Sequence, residues 1–301
     1  MTTTADRADV PLAVGVRRER ERPRHPLRRT LLYAALIGTS ILMIGPFYWA
    51  FATSFKPSGD VFASPPKLIP DPWTLQNYGD VFTILPFGRY FLNSVIVTAA
   101  IVGLNVLFDT AAAYAFAKLR FPGRNALFFL LLITLMIPFQ VNLIPLYRIM
   151  VGLHDLNPAL GIDTYSALIL PGAIQVFGIF LMRQFLASIP DDILESARVD
   201  GASEFTILRR IVFPIAAPGM ATLAIFTFLG AWNDFLWPLL VTNSDRVRTL
   251  PVGLALLARK NTINWGDTMA GTMLAAGPMI LVFITLQRRF IEGLTAGSVK
   301  G

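Results

Sequence analysis

Apolar residues in this chain are gathered into long runs, and the runs have the length of membrane spans. Thr30 to Phe55 contain no charge, which predicts a first span over 31–52. A second follows over 91–117, with Asp109 as its one acidic residue. The uncharged run Asn125–Tyr147 predicts a third over 125–147, and Thr164 to Met182 opens a fourth over 164–186. The fifth, 215–241, is interrupted only by Asp234, and the sixth covers 268–287. A helix needs roughly 20 apolar residues at about 1.5 Å each to cross the hydrocarbon. Ten-residue segments of alternating polarity, the mark of a membrane β-barrel, are absent from the sequence. The pattern therefore predicts an all-α membrane protein with six transmembrane helices, filling 30–301 behind a polar N-terminal segment.

Composition agrees: 54% of the residues are hydrophobic and 15% charged, against about 25% charged in soluble domains. The net charge of +7 would suit nucleic acid, but its distribution has another explanation. Most of the 26 Lys and Arg lie in segments that share one side when six spans are threaded with the N-terminus inside. They include Arg17, Arg18, Arg20 and Arg22 of the tail, Lys118, Arg120 and Arg124 between spans two and three, and Arg198, Arg209 and Arg210 between spans four and five. This is the positive-inside bias of cytoplasmic loops, so both termini are expected in the cytoplasm and no nucleic-acid partner is inferred. Residues 1–29 mix Arg, Glu and Pro and read as a disordered basic cytoplasmic tail, suited to anionic membrane lipid. With no cleavage pattern behind it, the first span reads as a retained helix.

Two connecting segments stand out. The loop after span one, residues 53–89, holds Pro57, Pro65, Pro66, Pro70, Pro72 and Pro86. It predicts an irregular external segment with a short helix near Leu75–Phe82. Between spans four and five, residues 190–214 are dense in charge and predict two short capped helices. Pro190 suits a first helical position, with Asp191 and Asp192 complementing the positive helix end. Asp200-Gly201 supplies a left-handed stop, and Ser203 caps a second helix ending before Pro214. A solvated amphipathic connector is the plainer reading, although a simple connector has no need of two caps.

Here a family resemblance enters. Glu195-Ser196-Ala197, Asp200-Gly201-Ala202 and Ile211-Val212-Phe213-Pro214 resemble the E-A-A…G…I-x-L-P loop of ABC importer permeases, with Ser196 in place of Ala and Phe213 in place of Leu. Ser54–Pro57, Asn93-Ser94, Trp232–Pro238 and Gly293–Gly301 resemble maltose- and glycerol-phosphate-type carbohydrate permeases, the last segment being similar to the maltose-transporter G type. The resemblance implies a type I importer permease fold and a pore completed by a second, homologous permease. It also implies two ATPase subunits carrying ATP and Mg, and an extracytoplasmic binding protein that delivers a sugar-like solute in the bacterial cytoplasmic membrane. In that scheme Glu195, Ser196, Ala197, Arg198, Asp200, Gly201, Ala202, Ile211 and Pro214 form the element that couples the pore to an ATPase.

No G-x-x-x-x-G-K-[ST] phosphate loop occurs, so ATP is expected on another chain. His25 and His154 are the two histidines and there is no cysteine, which leaves no metal-ligand spacing. No nucleophile–base pair is legible either, so neither a catalytic residue nor a resident cofactor is assigned. A secondary transporter would bring mid-membrane ion-coupling carboxylates and two related halves, which the sequence does not display. An amino-acid or peptide permease of the same class stays open. Polar residues within spans are costly in lipid and mark pathways or packing contacts. Asn233 and Asp234 beside Trp232 and Trp237 offer hydrogen-bonding groups next to aromatic faces, as a sugar requires. Gln140, Asn142 and Gln175 are further pathway candidates. Helix-packing hydrogen bonds, or an interfacial aromatic belt for the tryptophans, are the alternatives. For Asp109 the expected role is an ion pair or a reach toward the interface.

Overall fold

Leu31, Leu36, Ile41 and Phe47 point to different sides of one helix and all are exposed, the pattern of a segment solvated by lipid on every face. This helix, α1, spans Pro26–Ser54 in the computed structural model, which describes residues 26–260 and 264–295. Most of the tail predicted over 1–29, together with the end of the C-terminal motif at Gly293–Gly301, lies outside the described residues. Residues 26–29 belong to α1 and not to a tail. The chain divides into two units, residues 1–48 and 49–301. All that follows concerns the second.

Every regular element among the described residues of that unit is a helix. Its elements are α2 (Gln76–Ile84), α3 (Phe87–Lys118), α4 (Arg124–Thr134), α5 (Phe139–Leu156), α6 (Tyr165–Ile169), α7 (Val176–Ala187), α8 (Asp191–Val199), α9 (Glu204–Ile207), α10 (Phe213–Ile215), α11 (Ala217–Trp232), α12 (Leu236–Val241), α13 (Leu250–Lys260) and α14 (Trp265–Thr295). The short helix expected in the proline-rich loop is α2. Its buried Asn77 donates to the carbonyls of Ser54 and Lys56 at 2.9 and 2.8 Å, which fastens α2 to the end of α1. The Lys56 ammonium, wholly buried, lies 4.1 Å from the Trp49 ring centre, and burial lowers its pKa.

The axis of the unit is α3. It packs along α7 on one side and α11 on another, while α14 closes against α11, α2 and α13. Three apolar clusters result. One joins Tyr114 and Phe128 to Met182, Leu186, Leu194 and Ile207. Another joins Val81 and Tyr90 to Trp232, Leu250 and Leu257, and the third surrounds Ile101, Met150, Leu168 and Trp237.

Three of the six predicted spans are not straight helices. The third divides into α4 and α5, bent by 98°, and the fourth into α6, with its 3-10 extension to Gly172, and α7, bent by 42°. In the fifth, α11 has 16 residues, about 24 Å at 1.5 Å per residue, short of the roughly 30 Å of hydrocarbon. It ends at Asn233, and α12 follows after Asp234 and Phe235. Pro138 explains the first break, because proline has no N–H for the helix ladder. The second falls at Gly172–Gln175. The fifth span is both bent by 77° at Ala216, where α10 meets α11, and interrupted at the Asn233-Asp234 pair. At Gly172–Gln175 and at Asn233-Asp234, side chains supply hydrogen bonds that the ladder loses.

Candidate functional site

The segment 190–214 folds into α8, α9 and α10, largely as its caps dictate. Asp191 and Asp192 occupy the first turn of α8, while Pro190 sits one residue earlier than expected, as its N-cap. Gly201 has φ +81°, the left-handed conformation anticipated for the stop, and Ser203 accepts the Thr206 N–H at 3.3 Å as the cap of α9. The second helix does not end before Pro214. It continues through a wide π turn at Leu208–Val212 into α10, which closes at Ile215. A wider turn accommodates a proline that cannot donate.

Leu194 and Ile207, 1% and 0% exposed, anchor the two helices in the cluster built on Tyr114, Met182 and Leu186. Polar contacts complete the attachment. Lys118 donates to Asp191 at 2.6 Å and to the Ile189 carbonyl at 2.5 Å. Glu204 accepts from Arg198 at 2.8 Å and from the Tyr114 hydroxyl at 2.5 Å. The Arg198 bond, then Tyr114, hold Glu204 below the usual carboxylate range, and Lys118 does the same for Asp191. Arg198 is raised in turn, chiefly by Glu204. With their supports buried, Glu195, Ser196, Asp200 and Gly201 are left exposed, Ala197, Arg198, Ala202 and Ile211 half-buried, and Pro214 exposed. Val199 and Phe205, 88% and 71% exposed, stand as apolar knobs on either side of Gly201.

A second feature lies at the helix breaks. An open cavity of about 410 Å³ is lined by Gln175, Asp234, Trp237, Phe139, Gly172 and Ile101, among others. The structure thus brings together Gln175 and Asp234, residues from different spans. Asn233 is turned away, its amide donating to the Leu229 carbonyl at 2.8 Å to close the end of α11. Trp232 is 4% exposed, bonded through its indole N–H to the Ala275 carbonyl at 3.1 Å and stacked on Phe228. Trp237 occupies the cavity wall instead, held by its N–H on the Ala167 carbonyl at 2.8 Å. Gln140 and Asn142 lie exposed in the first turn of α5, near but not among the cavity-lining residues.

Asp109 does not have the ion pair expected of it among the described residues. It is fully buried, and its Oδ1 accepts the backbone N–H of Gln175 at 3.0 Å. Sequence reasoning missed its neighbour Asn105, whose amide donates to the Gly172 carbonyl at 2.6 Å. The spacing of four along α3 was the available signal. At the other end of α3, Asn93 and Ser94 fasten the loop 242–249. Asn93 donates to the carbonyls of Arg246 and Arg248 at 3.1 and 2.8 Å and accepts from Tyr165, while Ser94 accepts the Leu250 N–H. Asp163, across that loop, is raised by burial but lowered more by Ser244, the Asn243 N–H and the Arg246 charge together, and its net displacement is downward.

Residues 110–295 match the family model described as the binding-protein-dependent transport system inner membrane component. The chain belongs to this family. Among its relatives are the arabinooligosaccharides transport system permease protein AraQ of Halalkalibacterium halodurans, 36% identical over 93% of this chain and 100% of the relative. The diacetylchitobiose uptake system permease protein DasC of Streptomyces coelicolor is 36% identical over 87% of this chain and 94% of its own. The sn-glycerol-3-phosphate transport system permease protein UgpE of Yersinia pestis is 33% identical over 84% and 91%. A chain of a bacterial ABC transporter involved in the import of the acidic polysaccharide alginate superposes with a TM-score of 0.76 over 89% of this chain and 99% of that one, at 24% identity. This inner membrane component therefore has the type I importer permease fold and works as a transport subunit of a binding-protein-dependent system. Membership separates it from the secondary transporters.

Proposed function

We propose that this chain forms half of the translocation pore for a sugar or sugar-derived solute and couples that pore, through residues 190–214, to separate ATPase subunits. A second, homologous permease completes the pore, two ATPase subunits bind ATP and Mg, and an extracytoplasmic binding protein delivers the solute. Both termini lie in the cytoplasm in this reading, which the distribution of Lys and Arg supports. The relatives named for arabinooligosaccharides and diacetylchitobiose support the solute class. So does a cavity that sets a carboxylate and an amide beside the Trp237 and Phe139 rings, since sugars present apolar faces and polar edges.

The observation that carries the reading is the exposed turn at Gly201, raised on two buried anchors and flanked by the Val199 and Phe205 knobs. A lever must be rigid at its base and accessible at its tip, and this segment is both. Domain closure on the tip is then transmitted to α3 and α7 as a rigid-body displacement. The test is Gly201→Val. No atom lies within 4 Å of the position a Cβ would take, so the change strains only the left-handed backbone and the outer surface. Insertion and yield should persist while uptake of the binding protein's ligand, identified by a ligand screen, falls at least about tenfold and the ATPase dissociates more readily. Normal uptake by a well-expressed variant would refute the coupling role.

A further inference from the structure

We propose that Asn105 and Asp109 are positioning residues that clamp the break in the fourth span, so that Gln175 is presented to the cavity. The proposal rests on reading that cavity as part of the solute pathway. Between Gly172 and Gln175 the helix ladder is interrupted, and Gln175 is extended at φ −126°, ψ 128°. Backbone groups freed in this way have no water in the bilayer core to turn to, so irregular backbone persists there only where protein satisfies it. Here α3 supplies both missing partners. Asn105 takes the Gly172 carbonyl on one side of the break at 2.6 Å, and Asp109 takes the Gln175 N–H on the other at 3.0 Å. Residues four apart on a helix share a face, so one stripe of α3 spans the gap.

The clamp is itself supported. Thr227 of α11 donates to Asn105 Oδ1 at 3.3 Å, which orients the amide so that its NH2 meets Gly172. One turn beyond the break, Gly178 leaves room for Asp109, since a Cβ there would run into the carboxylate and would lie 3.0 Å from Leu223. One turn before Asn105, Ile101 packs 3.3 Å from where a Gly172 Cβ would stand and forms part of the cavity wall. The same face of α3 thus lines the cavity at Ile101 and sets its opposite wall through Asn105 and Asp109. The other carboxyl oxygen of Asp109 has no hydrogen-bond partner among the described residues, and no Lys or Arg pairs with it there. Its role is therefore met by an acceptor at Oδ1, which a carboxamide retains.

The natural chain has no cysteine, so Gln175→Cys gives a single reporter in the complete transport complex. Its labelling rate by a small water-soluble methanethiosulfonate reagent reads the presentation of this residue. Intramembrane hydrogen bonds of this kind are worth about threefold to fifteenfold in an equilibrium. Asn105→Ala and Asp109→Ala should slow labelling by that range at unchanged complex yield, because 173–175 then regains helical bonds and turns Gln175 toward α3. Asp109→Asn should restore the rate, and Thr227→Val should produce a smaller loss. Rates unchanged in both alanine variants would overturn the clamp, as would an asparagine variant no better than alanine. Loss of assembly in Asn105→Ala, Asp109→Ala and Thr227→Val alike would overturn it too, by assigning these residues to stability alone. A Gln175→Cys chain that does not label even with α3 unaltered would instead remove the pathway reading on which the clamp rests.

Discussion

Asp234 faces the cavity, beside the Trp237 backbone N–H in the first turn of α12, and no cation pairs with it among the described residues. A carboxylate in an ion pair would leave an unmatched charge behind on neutralisation, but this one would not. Asp234→Asn should therefore assemble at normal yield while changing the KM or rate of solute uptake, both measured on one preparation. Loss of assembly would assign Asp234 to structure, and unchanged uptake would remove it from the pathway. Glu204 makes a different prediction because its partners are known. Arg198 and Tyr114 hold its folded pKa below the ordinary carboxylate value of about 4.3. A depressed pKa contributes stability above the unfolded value and loses it as pH falls through the folded one. Both partners are more than a third exposed, so the pair contributes less than about 1 kcal/mol. Amide exchange over 191–207 should accelerate modestly below about pH 4, and Glu204→Gln should flatten that dependence. Unaltered pH dependence in the variant would exclude Glu204 as its source.

The coupling helices depend on anchors more than on surface pairs. Leu194→Ala or Ile207→Ala empties a fully buried site, at a cost of about 2–5 kcal/mol for a change of this kind. The spans are covered by lipid and by other contacts, so the protein should still insert. Faster exchange over 191–207 and a loss of uptake should appear together, and loss without local loosening would place the anchors' role elsewhere. These helices were legible in the sequence because their determinants are local: Asp191 and Asp192 in a first turn, a left-handed Gly201, a capping Ser203. The bends in spans three, four and five were not, because an apolar run looks the same whether its helix is straight or broken. What maintains the break at Gly172–Gln175 is an amide and a carboxylate more than sixty residues earlier, a long-range relation that hydropathy cannot register. The same distance explains why Trp232 and Trp237 read alike in sequence, although contacts to Ala275 and Ala167 send one to the core and the other to the cavity.

Across the unit from Trp49 onward, α3 acts as a ruler. Its 32 residues span about 48 Å at 1.5 Å each, more than the roughly 30 Å of hydrocarbon, so its two ends emerge on opposite sides of a bilayer. At the Lys118 end the helix holds Asp191 and Ile189, and through Tyr114 it holds Glu204, which brings the basic turn 119–123 and the segment 190–214 to one side. At the Tyr90 end, Asn93 and Ser94 hold the loop 242–249 and the start of α13, and α2 leads into this end after the proline-rich loop. The turn after Lys118 and the segment 190–214, which six threaded spans would put on one side, thus lie together at one end of α3. Single-cysteine labelling makes the assignment testable, since the natural chain contributes no background thiol. Ser58 and Ser203 are both exposed, so a failure to label reports the membrane barrier and not burial. An impermeant thiol reagent added outside intact cells should modify Ser58→Cys and spare Ser203→Cys, and permeabilisation should make Ser203→Cys reactive. Labelling of Ser203→Cys in intact cells would invert the proposed topology and place the coupling segment where no ATPase could reach it.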